Sequence, residues 1–312
     1  MLQRQRTIHN KASLVGVGLH SGKKIRLNVF PAGENEGIVF LRRAGQKFVE
    51  IPAQHQNIVD TRLATTLGCG GELVATVEHF LAAMYGLGID NLRVEIDGPE
   101  IPIMDGSAAA FVDMVRKAGI EQLSAQKRFW VVTKPVTVKL GDRVASLKPA
   151  SQFSISCAID FNHPVISAQR YHWEFSDQAF HRDIAQARTF GLLKDVENLK
   201  RMGLVLGGAL ENAIVVDDFN ILNAGGLRYP DEFVRHKLLD GLGDLALLGH
   251  PIIGKVTLNK AGHSLHRQLL EKAMKLEALV PFQPELEVTE HHYGELPLRL
   301  PVWAAPSEIF AL

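Results

Sequence analysis

The chain is 312 residues long and 46% hydrophobic, which is enough for two ordinary domains of about 150 residues, each with its own core. Lysine and arginine total 34, as do aspartate and glutamate, so the balanced charge excludes nucleic-acid binding through a general basic field. The two cysteines, Cys69 and Cys157, form no C-x-x-C pair, which argues against a thiolate metal site and a disulfide framework. We expect a globular protein of a reducing compartment.

The N-terminus and the hydropathy pattern indicate the cellular compartment of the protein. The N-terminus is basic but lacks an apolar run of about seven residues before a cleavage site, and no stretch reaches about 18 apolar residues. These observations predict a cytoplasmic protein without stable membrane insertion. No segment of the sequence indicates a protein partner.

Strands and helices alternate in the first half. Alternation of apolar and polar residues predicts strands over residues 12–17, 24–30 and 92–96. Apolar residues at helical spacing predict a helix over 73–85, and Ser107 is placed to cap a second helix that runs to Ala118. We expect residues 121–130 to form a linker.

The second half repeats this order of elements. The segments MYGLGIDNLRVEIDG and LALLGHPIIGKVTLNKAG both read as the end of a helix, a Leu-Gly pair, a turn, an alternating strand and a glycine loop. A further helix follows each loop, and this pattern indicates a duplicated unit. Two similar layered α/β domains, each an open sheet covered by helices, are the expected result.

Two segments depart from the repeat. Residues 188–222 contain an amphipathic helix over 192–202, a glycine-broken apolar stretch and a strand over 213–216. They form a lid, a hydrophobic passage or simply additional core. After residue 278 the chain is rich in proline and has no clear period, so we expect an extended or poorly ordered tail.

The helix in FVRHKLLDGLGDLALLGH carries three ionisable residues on one face. His236, Asp240 and Asp244 stand at i, i+4 and i+8, beside a separate stripe of leucine and valine. An imidazole and a carboxylate one turn apart can bind one metal ion, with bonds of about 2.0 to 2.2 Å. A solvated or salt-bridged helix face explains the same pattern.

A second helix and a loop supply further candidate groups. His79, in TVEHFLAAMYG, would complete a His2Asp ligand set with an open position for water, and Glu78 could reach that water or be a surface glutamate. In the loop NKAGHSL, we expect His263 to be exposed enough to exchange protons. Asp244 would favour its imidazolium form, unless His263 is only the neighbour of a helix cap.

Several segments, in this order, resemble one enzyme family. They are SLVGVGLHSGKK, TVEHFLAAMYGLGIDN, IPIMDGSA, ARTFG, NILNAGGLRYPDEFVRHKLLDGLGDL and KAGH, and they are similar to the UDP-3-O-acyl-N-acetylglucosamine deacetylases of lipid A synthesis. The resemblance covers roughly residues 2–278. It implies an α+β fold with two domains of similar layered topology, helices sandwiched between sheets, and a small insertion in each domain.

The resemblance also implies boundaries and a substrate channel. The expected parts are a first domain over 1–125 with an insertion near 42–68, a second domain over 126–278 with an insertion near 188–222, and a tail over 279–312. In this family the second insertion builds the channel for the acyl chain of the substrate.

The family's cofactor and catalytic roles carry over to matching positions. The implied ligands of a Zn²⁺ ion are His79, His236 and Asp240. The implied catalytic roles are Glu78 as general base, His263 as general acid, Asp244 as the orienting partner of His263, and Thr189 as a support for the oxyanion.

Substrate contacts carry over as well. Phe161 and Asp160 match the uridine-contacting region, Lys237 matches a contact to the diphosphate, and Phe190 is implied to lie near the oxyanion. Arg143 stands where a lysine is common in the family, so the charge is kept while its geometry changes.

The implied reaction is zinc-dependent hydrolysis of the acetamide of UDP-3-O-acyl-N-acetylglucosamine. The products would be acetate and UDP-3-O-acyl-glucosamine, in the committed step of lipid A biosynthesis. Two alternatives stay open from the sequence: a metal-dependent deacetylase of another acetylated sugar, and a non-catalytic module that binds a nucleotide sugar or a lipid. Such a module would not require Glu78, His263 and all three ligands together.

Overall fold

The computed structural model describes residues 4–176 and 178–284. The elements of the first half are, in chain order, β1 (Arg4–Ile8), β2 (Ala12–Val17), β3 (Lys24–Pro31), β4 (Ile38–Ala44), β5 (Lys47–Pro52), β6 (Ile58–Asp60), β7 (Thr66–Cys69), β8 (Glu72–Val74), α1 (Glu78–Leu87), β9 (Leu92–Ile96), α2 (Ala109–Ala118) and β10 (Ile120–Gln126).

The elements of the second half are β11 (Phe129–Val132), β12 (Val136–Leu140), β13 (Arg143–Lys148), β14 (Ser154–Asp160), β15 (Ala168–Glu174), α3 (Ala179–Asp183), β16 (Phe190–Leu192), α4 (Leu193–Arg201), β17 (Ile214–Val216), α5 (Glu232–Leu245), β18 (Ile252–Ile253), β19 (Lys255–Asn259), α6 (His263–Lys275) and β20 (Leu279–Phe282).

Two five-stranded sheets repeat one strand order. The first sheet runs β2-β3-β9-β4-β5 and the second runs β12-β13-β19-β14-β15. In both, the central strand pairs antiparallel with the strand on one side and parallel with the strand on the other. The same order and the same directions appear in both halves, so the predicted α+β fold with a duplicated topology is confirmed.

The helices lie between these sheets. Helix α1 packs against α5, α5 packs against β14 and β15, and α6 packs against β12 and β13. Strand β3 shows how sequence alternation produces this packing, because Ile25, Leu27 and Val29 are fully buried while their polar neighbours face outward. A continuous cluster of buried apolar side chains therefore joins both halves through the helical layer.

A glycine sets the closest approach of the two central helices. A β-carbon at Gly243 in α5 would overlap the carbonyl oxygen of Glu78 at the start of α1. Only glycine fits this contact, since every other residue would push the helices apart. The first turn of α1 consequently lies against the C-terminal half of α5, which carries Asp240 and Asp244.

The helix predicted over 73–85 begins later than its spacing suggested. Glu72–Val74 forms strand β8 and pairs with Thr66–Cys69, and α1 begins only at Glu78. The backbone of Thr76 has a φ of 56°, a left-handed conformation that separates the strand from the helix. Apolar residues continue across this break, which explains why periodicity did not detect it.

The segment predicted as a linker over 121–130 is instead largely strand. Ile120–Gln126 pairs antiparallel with β1, and Phe129–Val132 pairs with both β18 and β20. We keep the domain boundary near residue 125 as a proposal. It is supported by this change of partners, because β10 pairs with the first strand of the chain and β11 with the last described one.

Both insertions contain small sheets. In the first half, the three-stranded sheet β6-β7-β8 lies outside the main sheet, whereas residues 42–52 largely belong to β4 and β5. In the second half, β16 and β17 pair in parallel around α4, which has no buried residue. The bounds expected for both insertions remain predictions.

The expected tail divides at residue 284. Leu279–Phe282 pairs in register with β11, so the first residues after 278 belong to the folded protein. Residues 285–312 lie outside the described residues. Among the helices of the described part, none is long and apolar enough to cross a membrane.

Candidate active site

Helices α1 and α5 bring together the three predicted metal ligands. The Oδ1 atom of Asp240 lies 3.4 Å from Nε2 of His79 and 3.3 Å from Nε2 of His236. All three residues are buried, with exposures of 4% or less. One ligand atom from each residue lies within 4.8 Å of the other two, so the trio forms a single potential cation site.

The donor atoms of this trio fit a divalent cation. Asp240 Oδ1 is buried and has no hydrogen-bond partner among the described residues, which is costly for a carboxylate oxygen without a cation. His236 Nδ1 lies 3.0 Å from the carbonyl oxygen of Ala187, to which it can donate, and this leaves the lone pair of Nε2 for a ligand. Burial lowers the pKa of His236 to about 3, so its ring is neutral, as a metal ligand must be.

The second oxygen of Asp240 has a different partner. Lys237 Nζ donates a hydrogen bond of 2.8 Å to Asp240 Oδ2. Burial disfavours the ammonium group, but the charge and hydrogen bond of Asp240, together with the charge of Glu78, raise the pKa of Lys237. A fixed positive charge therefore stands beside the cation site.

A second cluster lies one turn further along α5. Asp244 Oδ2 lies 2.7 Å from Nδ1 of His263 and 2.7 Å from Nδ1 of His266, and Asp244 Oδ1 accepts a 2.6 Å hydrogen bond from the Thr65 hydroxyl. One potential ligand atom each from Asp244, His263 and His266 also lies within 4.8 Å of the other two. The short distances to one oxygen are those of charge-assisted hydrogen bonds, so we assign the cluster to proton binding.

The charge of Asp244 sets the protonation of His263. Burial disfavours the imidazolium, but the Asp244 carboxylate outweighs burial and raises the pKa of His263 to about 9. The same interactions lower the pKa of Asp244 despite its burial. The side chain of His263 is 9% exposed, because α6 begins at this residue; that this suffices for proton exchange stays a prediction.

Glu78 lies at the start of α1, next to the ligand His79. It is 3% exposed, and its Oε2 accepts a 3.1 Å hydrogen bond from the backbone N–H of Thr65. Burial raises the pKa of Glu78, which brings its proton affinity closer to that needed by a general base. The surface-glutamate reading of Glu78 is therefore wrong.

Aromatic rings line one side of the cation site. Phe190 packs edge-on against Phe233, with ring centroids 4.9 Å apart, and against Phe161 at 5.6 Å. It also lies 6.3 Å from the His236 ring, and Lys237 Nζ lies 5.6 Å from its centroid. Three of the predicted substrate contacts thus stand together beside the ligands.

Thr189 precedes Phe190 in the chain, and backbone hydrogen bonds and a neighbouring ion pair fix its position. Its N–H donates to the carbonyl of Gly106 at 2.8 Å, and its own carbonyl accepts from Ile214 at 2.8 Å. The preceding residue, Arg188, donates from Nε to the fully buried Glu232 at 2.8 Å. No described residue hydrogen-bonds the Thr189 hydroxyl, which leaves that group for a ligand.

The remaining predicted contacts lie at one edge of the second sheet. Asp160 ends β14 and forms a 2.8 Å ion pair with Lys260, which also pairs with Asp142 at 2.9 Å. Arg143 is exposed at the start of β13, and among the described residues no hydrogen bond or ion pair joins it to the candidate catalytic groups. The structure does not bring Arg143 into the site, although it lies next in sequence to Asp142.

Sequence reasoning missed two buried contacts of the site, Thr65 and His266. Thr65 lies in a loop of the first half, and nothing in its local sequence separates it from Thr61 or Thr66. His266 had a usable signal, because it follows His263 by three residues and shares its helix face in HSLH.

Comparisons with known proteins match this chain over the whole of the site. A sequence model of the family described as UDP-3-O-acyl N-acetylglycosamine deacetylase (LpxC) matches residues 5–275. Proteins called UDP-3-O-acyl-N-acetylglucosamine deacetylase are similar in Myxococcus xanthus, with 56% identity over 86% of both chains, and in Acidithiobacillus ferrooxidans, with 52% identity over 86% of this chain and 88% of the relative.

A more distant relative covers still more of the chain. The protein of the same name from Nautilia profundicola is 47% identical over 91% of this chain and 97% of its own length. The described site residues, from Thr65 to His266, all fall inside the matched range. The chain therefore belongs to the family of UDP-3-O-acyl N-acetylglycosamine deacetylases.

Proposed function

We propose that this protein hydrolyses the acetamide of UDP-3-O-acyl-N-acetylglucosamine, the deacetylation step of lipid A synthesis. The observation that carries the proposal is a buried oxygen of Asp240, which faces two imidazole nitrogens and has no hydrogen-bond partner in the described part of the chain, beside a buried glutamate and a charged histidine. Family membership supplies the substrate, since the relatives are named for this reaction. The cytoplasm is the proposed compartment, in keeping with the free thiols of Cys69 and Cys157.

We propose Zn²⁺ as the cofactor, held by His79, His236 and Asp240. Two imidazoles and one carboxylate are ligands typical of catalytic zinc, which keeps a fourth position open. A zinc ion there would lower the pKa of a bound water and polarise the acetamide carbonyl.

Glu78 acts as the general base. Its carboxylate removes a proton from water as the water oxygen bonds to the acetamide carbon. Because burial raises the pKa of Glu78, this carboxylate is a stronger base than an exposed glutamate. The Thr65 N–H fixes one of its oxygens, so the other is available for the proton.

Thr189 and His263 complete the reaction. The Thr189 hydroxyl donates to the carbonyl oxygen as negative charge develops there, a contribution of about 3 kcal/mol for one donor in a well-arranged site. The His263 imidazolium then gives its proton to the nitrogen as the C–N bond breaks, and acetate and the free amine leave. Asp244 stabilises the imidazolium before this transfer.

Recognition of the substrate uses the neighbouring surface. Lys237 provides a positive charge for the diphosphate, and Phe161, which is 36% exposed, offers a ring to the uridine region together with Asp160. The second insertion supplies exposed apolar side chains for the acyl chain: Met202, Leu206, Leu210 and Phe219.

Acetate release tests the proposal directly. The purified protein, with its zinc content measured, is assayed on acylated UDP-N-acetylglucosamine and on the same sugar nucleotide without the acyl chain. We expect rapid release of acetate from the acylated substrate and far slower release from the other. Equal rates would point to a deacetylase of other acetylated sugars, and no acetate from a zinc-loaded protein would overturn the function.

A further inference from the structure

Thr65 is a buried residue between β6 and β7 that takes no part in the bond-making and bond-breaking steps proposed above. Thr65 is 1% exposed, and it belongs to the first half of the chain, whereas the carboxylate that its hydroxyl contacts belongs to α5 of the second half. Buried hydroxyls are normally satisfied by nearby backbone, so a contact across 179 residues of sequence is unusual for a threonine.

Thr65 is fixed to the start of α1 by both backbone groups. Its N–H donates to Glu78 Oε2 at 3.1 Å, and its carbonyl accepts from the N–H of Val77 at 3.3 Å. These two bonds hold the Thr65 Cα, and therefore its side chain, in a fixed position relative to the general base.

The hydroxyl of Thr65 is directed at the acid pair. Oγ1 donates to Asp244 Oδ1 at 2.6 Å and lies 3.2 Å from His263 Nδ1. A hydroxyl has one hydrogen, and the short contact assigns it to Asp244, so Oγ1 can only accept from His263 Nδ1–H. Since Nδ1–H is also shared with Asp244 Oδ2, the proton that leaves His263 is the one on Nε2.

We propose that Thr65 is a positioning residue that holds the base Glu78 and the acid pair Asp244–His263 in a fixed relation to each other. Asp244 Oδ2 is occupied by His263 and His266, so Thr65 alone fixes Oδ1 among the described residues. Without that bond the carboxylate can rotate, and the His263 ring loses its alignment with the leaving amine. This inference rests on the proposed deacetylase activity.

Three variants of the full-length, zinc-loaded protein test the proposal. Thr65→Val removes the hydroxyl and keeps the shape and the backbone bonds, Thr65→Ser keeps the hydroxyl, and Thr66→Val makes the same change at the next residue, whose side chain has no hydrogen bond among the described residues. We expect Thr65→Val to lower kcat roughly 10- to 100-fold, the value of a hydrogen bond to a charged group, with KM and zinc content unchanged. Thr65→Ser and Thr66→Val should retain most of the activity.

A double-mutant cycle separates positioning from general damage. Asp244→Asn removes the carboxylate that Thr65 is proposed to hold, so adding Thr65→Val to it should change kcat by less than about 3-fold. An equal loss in both backgrounds, or a Thr65→Ser protein as slow as Thr65→Val, would overturn the inference. An inactive wild-type protein would instead overturn the proposed function, whereas an active wild type with an equally active Thr65→Val removes only the role of Thr65.

Discussion

Asp240 and Asp244 are two buried carboxylates one turn apart on α5, and their surroundings differ completely. One oxygen of Asp240 lies 3.3 and 3.4 Å from two imidazole nitrogens and accepts no hydrogen bond from any described residue, while Lys237 donates to its other oxygen. Asp244 has donors on both oxygens at 2.6 to 2.7 Å. One carboxylate is arranged for a cation, and the other for a proton.

The difference lies in which atoms face each carboxylate. His236 uses Nδ1 on a backbone carbonyl, so its Nε2 reaches Asp240 without a proton, whereas His263 and His266 both direct Nδ1 at Asp244. The two pKa values shift in opposite directions: burial lowers the pKa of His236, whereas at His263 burial is opposed by the charge and hydrogen bond of Asp244 and by neighbouring carboxylates, and the pKa is raised. Residue type alone cannot separate a metal site from a proton site, since both clusters contain two histidines and one aspartate.

The largest expected effect is loss of the metal. His236→Ala should abolish zinc binding and reduce deacetylation to the background rate, because the remaining two ligands cannot hold a catalytic ion. His266→Ala, the matched change in the other cluster, should keep one equivalent of zinc. Elemental analysis of both proteins checks this, and zinc loss from His266→Ala would show that the two clusters are not distinct.

Removal of the base should leave the metal in place. Glu78→Gln keeps the shape of the side chain and removes its ability to accept a proton, so kcat should fall by about 100- to 10,000-fold. Zinc content, measured in the same preparation, should equal that of the wild type. A Glu78→Gln enzyme with near-normal kcat would contradict the assignment of the base.

The proton cluster predicts a pH dependence with a definite sign. His263, whose pKa is raised to about 9, is charged below that pH, so its donor function and its stabilising ion pair are lost as pH rises through about 9. In Asp244→Asn the charge and the hydrogen bond of Asp244 are lost, so the pKa of His263 should fall well below its wild-type value, while the charges of Glu78 and Asp240 still raise it. Ring-proton NMR titration of the zinc-free protein measures both, and an unchanged pKa in Asp244→Asn would contradict the pairing.

The smallest expected effect is on stability. Gly243→Ala adds a methyl group against the carbonyl of Glu78, which forces α1 away from α5 at a cost of about 1–3 kcal/mol in the free energy of unfolding. Denaturant unfolding measures the change. Gly241→Ala offers a comparison on the same helix, since its β-carbon would overlap only the flexible end of the Leu258 side chain, with Ile155 and His266 at ordinary contact distance, and it should cost less.

The sequence predicted the duplicated α+β fold, and His79, His236 and Asp240 lie together in the structure, while their role as metal ligands stays a prediction. Helical spacing placed His236, Asp240 and Asp244 on one face, and the Glu78–His79 pair pointed to a second helix. The catalytic roles of these residues remain proposals. Spacing placed His236 and Asp240 correctly relative to each other because both lie in one regular helix, where contacts follow from i, i+4 geometry. The approach of His79 from α1 is a tertiary contact that spacing alone does not predict.

The contacts that sequence reasoning missed depend on tertiary structure. Thr65 reaches Asp244 only because the first insertion folds over the start of α1, and no local pattern reports that. The start of α1 was missed because apolar residues run from β8 into the helix, although the backbone turns at Thr76. Arg143 was placed by resemblance alone, and the structure leaves it exposed at a hairpin.

The proposed metal ligands lie on two helices that are far apart in the sequence, and this separation has a consequence for the synthesis of the protein. During synthesis His79 emerges from the ribosome long before His236 and Asp240, and His263 follows last. A nascent chain or a proteolytic fragment that ends before α5 carries one ligand and cannot retain the cation. If the proposed cation is bound, its loading is therefore a late event in the life of the polypeptide and requires that both halves have come together.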